Sequence, residues 1–150
     1  MKSMIAENVS EIIIRDLEKL KTEISLFKVE ENIWKVKATV TNSAGNLTLH
    51  LCGNLQHFIG AVLGGSGYIR NREMEFTLKN IPRTELLEEI ERTIQAVSTG
   101  LNSITDGELY IDYPLEKNGK KSSKAFFLLH LVAHLNYHLG QVNYLRRILE

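Results

Sequence analysis

The segment LLHLVAHLNYHLGQVNYLRRIL, residues 128–149, decides how this chain is read. It holds three of the five histidines, His130, His134 and His138, four residues apart. Successive residues of a helix advance about 100°. With His134 set at zero, Phe127 and Leu145 lie about 20° to one side, His138 about 40° and Leu131 about 60°. Asn136, Gly140, Asn143 and Arg147 fall on the far face. His134 and His138 therefore sit inside an apolar stripe. His130 lies about 40° off on the other side, toward Tyr137 and Tyr144. The spacing predicts a helix from Ser122 or Ser123 to Arg147 or beyond, with two imidazoles on its buried face.

Three further segments carry helical periodicity. The first spans about Ser3 to Phe27, with Ile5, Val9, Ile13, Leu17, Leu20, Ile24 and Phe27 on one stripe and charged residues opposite. The second spans about Asn46 to Leu63, with Asn42 or Ser43 as its cap and Gly64-Gly65 as its end. It is apolar around most of its girth, which predicts a buried helix. The third begins near Pro82 and reaches Leu101, keeping Leu87, Ile90, Ile94, Val97 and Leu101 in register. The connections are long. One of them has an alternating run (Glu108 to Tyr113) followed by an Asn118-Gly119 turn, which predicts a small hairpin before the last helix. With two prolines and no long strand pattern, the fold expected is all-α: a single-domain four-helix bundle with long connecting loops.

On the second helix, Asn54 and His57 fall within about 40° of His50, flanked by Leu47, Leu51 and Phe58. Both histidine-bearing faces look into one core, so His50 can meet His134 and His138. Imidazoles at i and i+4 project side by side and can share one metal ion. His130 and His138 are about 12 Å apart along the axis, too far for one helix to present both to one ion. A lone buried histidine is most simply hydrogen-bonded core. Three on converging faces favour a metal, because buried neutral imidazoles need partners for both nitrogens. The residues suit zinc, nickel, iron or copper. The segment from His134 to His138 lacks the glutamate of the HExxH metalloprotease pattern. Gln141 and Asn54 are candidates to support a ligand or bound water, or to satisfy buried backbone. His57 and His130 read as rim residues near the site. Arg70 and Arg72 are candidates for an anionic substrate, with a salt bridge to Glu73 or Glu75 as the simpler assignment.

Composition narrows the partners. Eighteen basic residues balance eighteen acidic ones, leaving no basic field for nucleic acid or anionic lipid. The single cysteine, Cys52, rules out an internal disulfide and suits a reducing, cytoplasmic setting. The N-terminal segment breaks its apolar residues with Glu7, Glu11, Arg15 and Asp16 and reads as neither a signal peptide nor a membrane span. A small-molecule substrate is the expected partner. The wide apolar girth of the second helix also suggests a homodimer.

Two segments, NLTLHLCGNLQHFIG (46–60) and the quoted final helix, resemble the DinB-like family of metal-binding four-helix proteins. Its members typically carry one ligand histidine in the second helix and an HxxxH pair just before Gly-Gln in the last. His50, His134 and His138 match those places. The stretch Arg70-Asn71-Arg72-Glu73-Met74-Glu75-Phe76 resembles an arginine-rich, Glu-Phe-ending segment of one branch. The resemblance implies a divalent metal, zinc or nickel first and iron next, on those three histidines. It further implies an enzyme related to S-transferases and isomerases that use a low-molecular-weight thiol. The alternatives are a metal- or ligand-binding bundle without turnover, and a metal-dependent hydrolase or isomerase.

Overall fold

A computed structural model describes all residues from Met1 to Glu150. The chain is all-helical, and four of its helices are long. Helix α1 (Met4–Leu26) starts at Ser3, whose hydroxyl accepts from the backbone N–H of Ala6 at 3.3 Å. Val9, Ile13, Leu17, Leu20 and Ile24 are buried along it as the stripe predicts. Ile5 is not: it is 53% exposed, and Ala6 takes the buried place in the first turn. At the end of a stripe, i−3 and i−4 both border the next buried residue, and here the smaller side chain faces inward.

Helix α2 (Ala44–Leu55) begins at Ser43, which accepts from the N–H of Asn46 at 3.1 Å. It continues as a π-helical turn from Gln56 to Ala61, marked by the bond from Val62 N–H to the carbonyl of His57 at 3.0 Å. Gly65, at φ 64°, lies just beyond it. Helix α3 (Arg72–Thr77) is short, and Asn71 caps it by accepting from Met74 N–H at 3.2 Å. Helix α4 (Arg83–Leu101) follows Pro82, helix α5 is the single turn Asp106–Leu109, and helix α6 (Lys124–Leu149) is capped by Ser123. A 3-10 turn over Glu30–Trp34 buries Ile33 completely.

The connections depart most from expectation. Residues 72–77 and 30–34 are helical turns rather than plain loop. The alternating run opens inside α5, because Glu108 folds back to accept from Thr105 N–H at 2.9 Å and closes a capping box. No strand forms there. The Asn118-Gly119 turn does form, with φ of 52° and 71° and reciprocal 3.0 Å bonds between Lys117 and Lys120. Only isolated bridges, Lys117 with Lys120 and Asp112 with Ser123, extend it.

Helix α1 packs on α4 and α6, and α2 packs on the same two from the other side, so one continuous apolar cluster joins all four. Eleven of the twelve residues of α2 are buried, against α3, α4, α6 and the 3-10 turn. Its wide apolar girth is thus consumed within its own chain. It cannot serve as the argument for a dimer. No helix is long and apolar enough to cross a membrane.

Candidate metal centre

Helices α2 and α6 bring His50, His134 and His138 together: each offers a nitrogen, and the three atoms lie within 4.8 Å of one another. His50 Nε2 is 3.1 Å from His134 Nε2. The His134 and His138 rings stand at 89° to each other with centroids 4.6 Å apart, as i and i+4 neighbours on one helix allow.

Each outer nitrogen has its own environment. His50 Nδ1 donates to Glu75 Oε1 at 3.1 Å, which leaves Nε2 as the lone-pair nitrogen facing the other two rings. Arg70 holds the same carboxylate with two bonds, Nε to Oε2 at 2.8 Å and Nη2 to Oε1 at 2.9 Å. Burial opposes ionisation of Glu75, but the hydrogen bonds from His50 and Arg70 outweigh it and hold the carboxyl below its ordinary range. His138 Nδ1 donates to Gln141 Oε1 at 2.7 Å, freeing its Nε2 for the cluster. His134 Nδ1 is buried without a partner.

Gly53 makes the Glu75 arrangement sterically accessible. A Cβ at this position would lie 1.9 Å from Glu75 Oε2, so only glycine leaves room for the carboxylate against α2. Phe76, next along α3, lays its ring 4.9 Å from that of His50.

The donor set fits a divalent cation. Burial, followed by the neighbouring His138 and His50, pushes His134 down to about 3, and burial also lowers His138. Both rings are therefore neutral near pH 7, the state in which an imidazole nitrogen can ligate. Two nitrogens on one tetrahedral zinc ion lie about 3.3 Å apart. The 3.1 Å between His50 Nε2 and His134 Nε2 is close to that value. A carboxylate on the far nitrogen of one histidine and a side-chain amide on that of another are the supports that ligand imidazoles commonly have.

The other candidate residues separate clearly. His130 is half-buried, and its Nε2 contacts Lys117 Nζ rather than the cluster. His57 lies in the π turn with its ring against Phe58, 4.7 Å away, and is not part of the cluster. Arg72 is exposed, with its guanidinium 5.2 Å from the Phe76 ring, and it is Arg70 that makes the ion pair with Glu75 beside His50. Asn54 is buried, and its Oδ1 has no hydrogen-bond partner among the protein's own groups. Cys52 is fully buried, and burial pushes its thiol up to about 12, so it is no ligand here. Along the sequence Glu75 shows only as an ion-pair partner for Arg70 or Arg72, and its place under His50 is visible only in the fold. The available signal was Gly53, an unexplained glycine one turn from His50 in the middle of an apolar helix.

A family profile described as "Protein of unknown function (DUF1572)" matches residues 6–150. No curated protein matches the chain. The match covers all but the first two residues of α1, the whole of the other long helices and all three clustered histidines, and the chain belongs to the DUF1572 family.

Proposed function

We propose that this chain is a DinB-like four-helix bundle, built from α1, α2, α4 and α6, that holds a divalent cation on His50, His134 and His138. We further propose that it is a cytoplasmic transferase using a low-molecular-weight thiol, with zinc or nickel, or else iron, as the resident ion. The observation that carries the reading is the convergence of three imidazole nitrogens within 4.8 Å, two of them steadied by Glu75 and Gln141.

The chain's own residues have definite jobs in it. Glu75 keeps the His50 proton on Nδ1, and Arg70 keeps Glu75 ionised and in place. Gln141 fixes the His138 ring. The chemistry such a cation supplies when bound is acidification of a coordinated small thiol, giving thiolate near neutral pH. Hydrolysis ranks lower, because Glu75, the carboxylate that touches the cluster, is already engaged by His50 and Arg70 and is poorly placed to take a proton from water.

Cobalt substitution tests the proposal. The cobalt protein should gain a near-ultraviolet sulfur charge-transfer band on adding a low-molecular-weight thiol, and should consume thiol when given an electrophile. Protein without metal, and His134→Ala, should do neither. A band without turnover across a panel of electrophiles would favour a binding bundle. Absence of the band in cobalt-loaded protein would sink the thiol reading and leave hydrolase or isomerase chemistry.

A further inference from the structure

Helix α6 is apolar on two opposed faces. Phe127, Leu128, Leu131, Leu135, Leu139, Val142 and Leu145 point into the core. On the other side, Phe126, Leu129, Tyr137, Tyr144 and Ile148 are each between 54% and 66% exposed, and Ala133 and Gly140 between them are exposed too. These seven positions follow steps of 3, 4, 4, 3, 4 and 4 residues, which hold one stripe within about 100° of helix circumference over about 33 Å. From Ala125 to Leu145 there is no Asp, Glu, Lys or Arg. A solvated face of this length ordinarily carries charge; depletion of charge with enrichment of tyrosine and phenylalanine marks the centre of an interface.

We infer that α6 pairs with the α6 of a second copy of this chain, antiparallel and crossing near Tyr137. The stripe is close to symmetric about that point. Reversed on itself it sets Phe126 opposite Ile148, Leu129 opposite Tyr144, and Ala133 opposite Gly140 of the second copy. Its two halves are also complementary in shape. The C-terminal half, through Tyr137, Gly140, Tyr144 and Ile148, walls an open groove of about 530 Å³ whose other side includes Val40 and Leu47. The N-terminal half presents Phe126 and Leu129 as protruding side chains. Gly140 has nothing within 4 Å of where its Cβ would be, so its bare backbone serves no packing inside the chain and is free to receive a neighbour.

The area suffices. Taking about 200 Å² for a whole aromatic side chain, three rings about two-thirds exposed and two aliphatic side chains about half exposed bury roughly 600 Å² per copy. That makes about 1,200 Å² for the pair, which reaches the range of stable specific interfaces. The interface is isologous, as two-fold pairing requires. It also bears on the histidine cluster. Gln141, which holds His138, lines the same groove, so the second copy roofs the space beside the site. The pairing itself needs no metal.

Sedimentation equilibrium of the native chain at micromolar concentration should return twice 17.1 kDa. Leu129→Lys with Tyr144→Lys should weaken association by about a hundredfold or more. Circular dichroism should be unchanged, since both side chains are exposed. Cysteine cross-linking tests the register, and the native Cys52 is buried and silent. Tyr137→Cys should form a disulfide with its own copy, and Phe126→Cys protein mixed with Ile148→Cys protein should cross-link between copies. A native chain of monomer mass overturns the inference, whatever else the face binds. So does a dimer that survives the double lysine variant or fails to cross-link at Tyr137→Cys.

Discussion

Helices α2 and α6 both carry ligand-type histidines on a core face, yet they meet solvent in opposite ways. Helix α2 is buried by its own chain at all but one of its residues, while α6 shows a second apolar face to the outside. Apolar residues in sequence reveal that a surface is to be covered and not what covers it. A glycine beside each site puts the contrast in its sharpest form. Gly53 gives up its side-chain space to Glu75, and Gly140 gives it up to nothing within the chain.

The same substitution should therefore have opposite signs on the two helices. Gly53→Ala forces Glu75 from under His50 and strands Arg70 and the carboxylate, which should cost about 3 kcal/mol or more in urea unfolding. Loss of under 1 kcal/mol would mean that α3 shifts freely and Glu75 is not seated as described. Leucine truncation separates the helices next. Leu51→Ala on α2 should cost about 2–5 kcal/mol, and Leu129→Ala on the outer face of α6 should stay within about 0.5 kcal/mol in a monomeric background. Equal costs would erase the distinction between the two faces. Gly140→Ala, measured in the same background, should stabilise by about 0.5–1 kcal/mol through helix propensity alone.

The smallest effect concerns reactivity. Cys52 on α2 is fully buried, and its thiol titrates at about 12, so it stays protonated at pH 8 and should resist a disulfide reagent until the chain unfolds. Labelling of folded protein at the rate of a free thiol would show that α2 opens to solvent.

Much of this was legible along the chain because it is local. The spacing of His134 and His138 places them on one face of one helix without reference to anything else. Ser3, Ser43 and Ser123 cap helices within a residue or two of where periodicity ends them. His50 required one further step, that two apolar faces share a core, and it lands in the cluster. What escaped depends on distant pairing. Glu75 sits in a stretch of mixed charge, and only the notch at Gly53 distinguishes it from Glu73, which is exposed. The Glu108–Tyr113 run alternates like a strand, yet Glu108 gains more by capping Thr105 than by extending a two-stranded ribbon with no sheet to join. Arg70 and Arg72 look alike in sequence; their difference lies in which one faces α2.

The supports of the cluster should matter less than its members. Glu75→Gln should retain metal with about 10- to 100-fold weaker affinity, since it keeps an acceptor for His50 Nδ1 but loses the charge. Elemental analysis of protein purified without a nickel column, native and with each histidine changed in turn to alanine, tests the three-histidine site itself. The native chain should hold one divalent ion. His50→Ala, His134→Ala and His138→Ala should each remove that ion, and His57→Ala and His130→Ala should retain it. A native chain that binds no divalent metal when supplied with zinc, nickel or iron, or a site emptied by His130→Ala and kept by His138→Ala, would contradict the three-histidine site.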